Sequence, residues 1–236
     1  MKDPRVLFRK LSLVLPISRF DVLIKEIRRL ENQSGQLSVL DLGAGSASYW
    51  NAVLSEFPNI VFKLDLMDAV SIKSTGTSLK NVHLSRIQGE IPIDLASIPD
   101  NTYNLVVAFD LIEHLPKDKG FILLYEVDRI SAQTSVIFTP NGFVWQPPSV
   151  NNPFNAHISG WTPRELKKLG WKRIRGHTGF RGFQGPYGLS KNWVKGGILL
   201  ELSSLLKILT WKFSVFAFAF TATKRSKNAR VLEQEF

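Results

Sequence analysis

The 236-residue chain contains no cysteine, which excludes disulfide bonds, zinc–thiolate sites, iron–sulfur clusters and a cysteine nucleophile. The absence of cysteine fits a cytoplasmic protein, and we expect that location. Charged residues and Pro16 interrupt the apolar residues of the basic N-terminus, so no secretory signal is expected. The uncharged stretch 213–223 is also shorter than the roughly 20 residues that a membrane-spanning helix needs.

Hydrophobic residues make up 44% of the chain, enough for a sizeable core. The net charge of +10 is uneven, with +5 over residues 1–30, −6 over 31–160 and +11 over 161–236. Such asymmetry favours a polyanionic neighbour: an anionic membrane surface, a nucleic acid or a phosphorylated substrate. A basic face that meets only solvent explains the same charges.

From residue 36 onward, short apolar runs alternate with segments of helical periodicity. This alternation indicates an α/β fold, with a mostly parallel sheet covered by helices on both faces. Strands are predicted at 38–42, 60–66, 82–87, 104–110, 135–139, 171–176 and 214–223, and helices at 48–56, 121–130 and from Thr162-Pro163 onward. The predicted organisation is a basic amphipathic helical region over 1–35, a main domain over 36–223 and a charged tail over 224–236.

Two segments interrupt the alternation. A loop rich in proline, asparagine and aromatic residues spans 143–161, and loops of this length are often functional lids. A loop and an apolar helix are inserted at 179–212, before the last strand. Tryptophan and lysine flank the helix at 192–209, a composition typical of helices that lie in a membrane interface. Packing against the sheet or against a second copy explains the same composition.

The sequence VLDLGAGSA at 39–47 is a strand that ends in a glycine-rich turn and opens a helix. Glycine lets the backbone approach a ligand closely, and the helix start offers free N–H groups. Asp41 precedes the turn, and its carboxylate would repel a pyrophosphate but suit an ammonium group. The third glycine of the dinucleotide-binding pattern is missing.

The segment Asp41-Leu42-Gly43-Ala44-Gly45 resembles motif I of the class I S-adenosylmethionine (SAM)-dependent methyltransferases. That family has a Rossmann-like fold with a seven-stranded sheet whose last strand is antiparallel. The resemblance implies that SAM is the cofactor and that Asp41, Gly43, Ala44 and Gly45 hold its amino-acid end.

Further acidic residues match the family in order along the chain. At the end of the second strand, the resemblance implies that Asp65 binds the ribose hydroxyls, with Asp68 as the competing choice. Glu90 follows the third strand, where the family has an acidic residue near the adenine. Asp110 begins the sequence DLIEHL, which resembles the D-x-x-E-H-L segment beside the methyl group.

The nearest resemblance within the family is to small-molecule O-methyltransferases of quinone pathways and surface-polysaccharide biosynthesis. A methyltransferase positions the acceptor and removes its proton. His114 and His157 are the candidate bases, with Glu113 beside them. The aromatic residues Phe143, Trp145, Phe154 and Trp161 are candidates for lining the acceptor pocket, or they only pack the loop.

Some methyltransferases carry an E-x-x-E-H segment and a later histidine that hold a divalent metal ion. A comparable set is formed here by Asp110, Glu113, His114 and His157, although the aspartate side chain is shorter than the glutamate at the first position of that pattern. Our main interpretation includes no metal ion, and a metal site formed by these four residues is the alternative.

The sequence therefore predicts a SAM-dependent methyltransferase that acts on an oxygen of a small or lipid-linked acceptor, such as a sugar or a quinone precursor. The high pI of 9.9 keeps an RNA methyltransferase as an alternative, although no RNA-binding module is apparent. A non-catalytic scaffold with the same fold is the other alternative. The acceptor and the oligomeric state stay open.

Overall fold

The structure is a computed structural model that describes residues 19–31, 36–72, 81–150, 152–180, 210 and 212–226. The predicted helical residues 1–18, the apolar helix at 192–209 and the tail beyond Ser226 lie outside the described residues. No described helix is long and apolar enough to cross a membrane.

Seven strands and four α-helices make up the described fold. The helices are α1 (Arg19–Glu31), α2 (Tyr49–Ser55), α3 (Lys117–Ile130) and α4 (Pro163–Lys168). The strands are β1 (Gln36–Leu42), β2 (Val61–Asp68), β3 (Val82–Gln88), β4 (Tyr103–Phe109), β5 (Ser131–Pro140), β6 (Arg173–Phe180) and β7 (Ala217–Arg225).

The sheet order is β3-β2-β1-β4-β5-β7-β6, and β7 runs antiparallel to both of its neighbours. The other adjacent pairs are parallel. The predicted α/β fold with seven strands and an antiparallel last strand is therefore confirmed. Strand order reverses between β1 and β4, and open α/β sheets bind ligands at such a switch point.

Apolar side chains fill both faces of the sheet. On one face, Leu23, Ile27 and Leu30 of α1 are fully buried in the cluster that also contains Trp50 of α2. On the other face, residues of α3 pack with β1 and β4. The helical periodicity of the basic N-terminal region thus marks a helix that is packed against the sheet from Arg19 onward.

Several element boundaries differ from the predicted ones. The strand β2 continues to Asp68, two residues beyond the predicted end, because it stays paired with β3 as far as Gln88. The last strand begins at Ala217 rather than 214, after a 3₁₀ turn at Ser214–Phe216. The predicted start of α4 is confirmed: Thr162 and Glu165 form a reciprocal capping box, with Pro163 in the first turn.

Candidate functional site

The glycine turn after β1 lies between the ends of β2 and β4. Gly43 and Gly45 have φ values of +66° and +54°, in the left-handed region that glycine adopts at no steric cost. The backbone N–H of Gly43 donates to the carbonyl of Met67 at 2.8 Å. A Cβ atom at Gly43 would lie 2.9 Å from Leu111 Cδ1 and 3.2 Å from Leu111 Cβ, so a side chain there would require Leu111 to shift.

Asp68 lies at the end of β2, beside this turn. Its carboxylate accepts hydrogen bonds from the backbone N–H groups of Gly45 at 2.8 Å and Val70 at 2.9 Å. Each oxygen keeps a further lone pair for a ligand. Asp65 is different: it is 5% exposed, and it accepts a hydrogen bond from the Tyr103 hydroxyl at 2.8 Å.

A cavity of about 840 Å³ opens at the carboxyl ends of β1 to β4. The predicted residues in its wall are Gly43, Gly45, Asp68, Glu90, Asp110, His114 and Phe154. The rest of the wall is formed by Ala69, Gln88, Gly89, Ile91, Leu111, Leu115, Pro116, Lys119, Asn152, Asn155 and Ile158. Its volume falls in the range of small-molecule and cofactor sites.

A second cavity, of about 370 Å³, shares Gly43 and Asp110 with the first. Asp41 and Ala44 lie in its wall, together with Arg19. Asp65, Glu113 and His157 line neither of these two cavities. Apart from Asp65, the predicted cofactor residues are thus divided between two neighbouring cavities at the glycine turn.

Asp41 is 1% exposed in this second cavity. Its Oδ2 atom accepts hydrogen bonds from the Tyr49 hydroxyl and from Trp50 Nε1, both at 2.8 Å. Burial raises the pKa of Asp41 to about 7 despite these two donors, because desolvation disfavours the carboxylate. A bound cation would stabilise the charged form.

Asp110 follows β4 with a φ of +50°, a conformation that aspartate tolerates better than most residues. Its carboxylate accepts a hydrogen bond from Arg19 Nη1, across 91 positions of sequence. The Arg19 guanidinium also lies over the ring of Phe138, 4.7 Å from its centroid. Arg19 therefore stands where the two cavities meet.

Glu113 lies behind the cavity, only 2% exposed. Its Oε2 accepts a hydrogen bond from the Thr139 hydroxyl at 3.0 Å, and its buried Oε1 has no hydrogen-bond partner among the described residues. Burial, reinforced by the negative charge of Asp110, raises the pKa of Glu113 to about 8. The backbone carbonyl of Glu113 accepts the N–H groups of Ile158 and Ser159, which fastens the 143–161 loop to the sheet edge.

The two predicted histidines meet beside Glu113, with ring centroids 4.8 Å apart. His114 Nδ1 lies 2.9 Å from the carbonyl of Ala156, and His157 Nδ1 lies 2.7 Å from the carbonyl of Val144. A carbonyl can only accept, so each Nδ1 is the protonated nitrogen and each Nε2 is the other ring nitrogen. Burial lowers the pKa of His157, which favours its neutral form.

Ligand atoms of Glu113, His114 and His157 lie within 4.8 Å of one another, and among the described residues they form a group that could hold a metal ion. Asp110 is not part of this group, because its carboxylate is turned to Arg19. Three members of the predicted metal set are therefore together and the fourth is apart.

The loop aromatics have different environments. Phe154 lines the larger cavity, while Phe143 and Trp145 are exposed on the loop surface. Trp161 is fully buried under Lys117, whose Nζ lies 3.6 Å from the ring centroid. Trp161 is therefore a packing residue of the loop rather than a wall of the cavity.

Sequence reasoning did not identify Arg19, Trp50 or Thr139 as parts of this site. Trp50 could have been predicted as a site residue, because Tyr49 and Trp50 follow the glycine turn and the first residues of a helix face the end of the preceding strand. Arg19 and Thr139 reach Asp110 and Glu113 only through tertiary packing, and no local pattern marks them.

No protein-family model and no curated protein matches this sequence. Solved structures do match. A SAM-dependent methyltransferase from Archaeoglobus fulgidus has a TM-score of 0.49 at 18% identity, over 89% of this chain and 95% of the other.

Two carbon methyltransferases reach a TM-score of 0.50. CurJ is 11% identical over 88% of this chain and 54% of its own, and DszA is 10% identical over 89% and 54%. These two similarities, together with the strand order, identify the fold as that of the class I SAM-dependent methyltransferases.

Proposed function

We propose that this chain is a SAM-dependent methyltransferase that methylates an oxygen atom of a small or lipid-linked acceptor, such as a sugar or a quinone precursor. The observation that carries the proposal is the larger cavity, where Asp68 and the glycine turn face each other at the switch point of the sheet. A carboxylate that backbone N–H groups hold in place is suited to accept two ribose hydroxyls.

The remaining wall suits a nucleoside. A Cβ atom at Gly89 would lie 2.5 Å from Met67 Cε and 2.9 Å from Asp94 Oδ2, so a side chain there would require these two side chains to move. The backbone N–H of Glu90 already donates to Asp94 at 2.7 Å, which fixes the path of the chain beside the proposed adenine position. Asp68, rather than the buried Asp65, is therefore our choice for the ribose, and Glu90 lies at the adenine end.

SAM supplies an electrophilic methyl group on a sulfonium, and its transfer forms an O–C bond as the S–C bond breaks. The work of the protein is to position the acceptor and to take the hydroxyl proton. His114 lines the cavity, and its Nδ1 is held by Ala156, so Nε2 is the atom that accepts this proton. His157 and Glu113 then act behind His114 as positioning residues.

The acceptor side of the cavity combines apolar and polar groups. Phe154 and Ile158 come from the loop, with Asn155 between them, and Lys119 comes from α3. This mixture suits a molecule with a flat or apolar part and a polar rim. The basic ends of the sequence would favour an acceptor that is presented at an anionic membrane surface.

Calorimetric titration with S-adenosylhomocysteine (SAH), the product of SAM, tests the cofactor assignment. We expect micromolar binding of SAH and no binding of NAD, because Asp41 disfavours a pyrophosphate at the glycine turn. A folded protein that binds NAD instead would contradict the proposal, and one that binds neither compound would favour a scaffold or another ligand. Salt-dependent retention of RNA by a protein that does bind SAH would favour an RNA acceptor.

A divalent metal ion is a second candidate ligand, next to the larger cavity. Within the described part of the chain the buried Glu113 Oε1 has no hydrogen-bond partner, and the Nε2 atoms of His114 and His157 are not the nitrogens held by the backbone. Backbone carbonyls that orient the opposite nitrogen are a usual support for metal-binding histidines. These residues would hold a bound metal, which would act as a Lewis acid on the acceptor hydroxyl. His114 Nε2 cannot be both base and ligand, so the two roles are alternatives.

Metal binding should appear as a shift of the unfolding temperature. We expect Mn²⁺ or Zn²⁺ to raise the Tm of the chelator-treated protein by several degrees. The substitutions His114→Ala and His157→Ala should each abolish this shift, whereas His83→Ala, on the exposed part of β3, should leave it intact. An unchanged Tm with full activity after chelation would remove the metal and leave His114 as the base.

A further inference from the structure

We propose that an apolar rim beside the mouth of the larger cavity docks this protein on the surface of a bilayer that contains anionic lipids. The rim consists of exposed residues from the long loop after β5 and from the turn before β7: Phe143, Val150, Phe154, Ile158, Phe213 and Val215. The inference deepens the proposed function, because a lipid-linked acceptor would enter the cavity from this bilayer. Binding to a bilayer does not require SAM, so the two proposals can fail separately.

All six residues of the apolar rim are more than half exposed. The exposed fraction is 54% for Phe143 and 61% for Phe154, and Val150 is fully exposed. Phe154 and Ile158 also line the larger cavity, so the rim continues into the wall of that cavity. Large exposed apolar surfaces are uncommon on monomeric proteins, and they mark sites of interaction with membranes or other proteins.

Hydrogen bonds hold the two parts of the apolar rim together. The side-chain nitrogen of Asn141 donates to the backbone carbonyls of Val215 at 3.0 Å and Ala217 at 2.8 Å. These bonds fix the turn before β7 beside the start of the long loop. Within that loop, the backbone N–H of Ser149 donates to Asn155 Oδ1 at 2.9 Å. The apolar side chains are therefore presented on a backbone that is already ordered, which lowers the entropic cost of docking.

The chain segments that carry the apolar rim have no formally charged side chain. Residues 131–163 and 213–223 contain no aspartate, glutamate, lysine or arginine. The one histidine among them is His157, and burial lowers its pKa. Moving a charged side chain out of water is costly, so these segments can enter a lipid interface without that cost. A nucleic acid would instead require cations at the contact.

Cations lie next to this uncharged surface. Lys212 is exposed, and its Nζ lies 5.9 Å from the ring centroid of Phe213. Aromatic rings with lysine beside them are typical of the headgroup level of a bilayer. Residues 1–18 and 181–209, which lie outside the described part of the chain, each contain four lysine or arginine residues against one acidic residue.

Both of these basic segments join the described structure at the carboxyl edge of the sheet. The first segment leads into Arg19, which lies in the wall of the smaller cavity. The second segment follows Phe180, which pairs with Ala217 at the start of β7. An anionic lipid surface under the apolar rim would attract both segments. This charge complementarity favours an anionic bilayer over an uncharged apolar partner.

Docking through the apolar rim would turn the mouth of the larger cavity toward the lipid headgroups. The apolar part of a lipid-linked acceptor could then stay in the bilayer while its polar end passes Phe154 and Ile158 and reaches His114. Such an acceptor would not have to leave the bilayer completely to be methylated.

Flotation with vesicles of phosphatidylcholine that contain about a quarter phosphatidylglycerol tests the proposal. We expect the wild-type protein to float with these vesicles at low salt. Val150→Asp and Val215→Asp should each weaken vesicle binding by about 10-fold or more, because each removes an apolar contact and places a charge in the interface. Neither residue lines a cavity, so SAH affinity should change by less than about twofold.

The matched control is Tyr125→Asp, which adds the same charge at a residue of α3 that is 66% exposed and lies outside the apolar rim. It should leave vesicle binding unchanged. Absence of flotation of the wild type at low salt, full flotation of both rim variants, or an equal loss in the control would overturn the proposal. A dimer that forms without vesicles and is lost in the rim variants would assign the rim to a second copy instead. Flotation without any binding of SAH would refute the proposed function alone.

Discussion

Substitution of Asp68 by alanine should weaken SAH binding by about 100-fold or more, because two charge-assisted hydrogen bonds to ribose hydroxyls are lost. Asp68 faces the larger cavity with a carboxylate that Gly45 and Val70 hold in place. Calorimetric titration measures the loss directly. Asp68→Asn serves as a second variant, since its amide is close in shape and keeps one acceptor oxygen for the turn.

Asp65 provides the matched comparison, three residues earlier on the same strand. Asp65→Ala should leave SAH affinity within about threefold of wild type, since Asp65 points to Tyr103 and not to the cavity. It should lower the free energy of unfolding by about 1–3 kcal/mol, because the Tyr103 hydroxyl loses its partner. Urea denaturation measures this cost. The reverse pattern, in which Asp65→Ala loses SAH binding and Asp68→Ala keeps it, would assign ribose binding to Asp65.

Asp41→Asn should stabilise the unliganded protein at neutral pH and weaken SAH binding at the same time. The pKa of Asp41 is about 7 in the folded protein against an ordinary value of 3.8, so the folded state holds the proton more tightly. The wild-type protein therefore loses stability as pH rises from about 4 to about 7. Asparagine cannot ionise, and it keeps an oxygen acceptor for Tyr49 and Trp50.

The free energy of unfolding of the asparagine variant should equal that of the wild type near pH 4 and exceed it by at most about 4 kcal/mol above pH 7. This limit corresponds to a pKa difference of roughly three units between the folded and unfolded states. Unfolding curves of both proteins at several pH values measure it, and the contribution of Glu113 cancels in the comparison. SAH affinity of the wild type should rise through pH 7 as Asp41 ionises, and that of the variant should lack this component. A variant no more stable than wild type at pH 8 would contradict the burial argument.

The fold was predictable because its signals are local. The apolar runs, the glycine turn and the capping box of α4 each lie within a few adjacent residues. The choice between Asp65 and Asp68 was not predictable, since it depends on where pairing between β2 and β3 stops. The same boundary decides which carboxylate leaves the sheet and reaches the cavity.

The ion pairs and hydrogen bonds of the site could not be predicted, because they join residues that are far apart in the sequence. Arg19 reaches Asp110 only because α1 packs against the sheet, and Thr139 of β5 holds Glu113 behind the cavity. The sequence left Trp161 open as a pocket residue or as a packing residue of the loop, and the structure shows it buried as a packing residue. A sequence therefore gives the chemistry of a side chain more readily than it gives the direction in which that side chain points.

The main-chain hydrogen bonds that hold the 143–161 loop affect which substitutions this protein can accept during evolution. The loop is anchored near both ends by main-chain atoms: Gly142 N–H bonds to the Trp161 carbonyl, and the Glu113 carbonyl holds Ile158 and Ser159. These main-chain hydrogen bonds make few demands on side-chain identity, except at Gly160, where a Cβ atom would lie 2.4 Å from the Phe143 backbone nitrogen. Substitutions between the anchors can accumulate without disturbing Asp68 or the glycine turn, so under the proposed function the acceptor preference could diverge while the cofactor site stays unchanged.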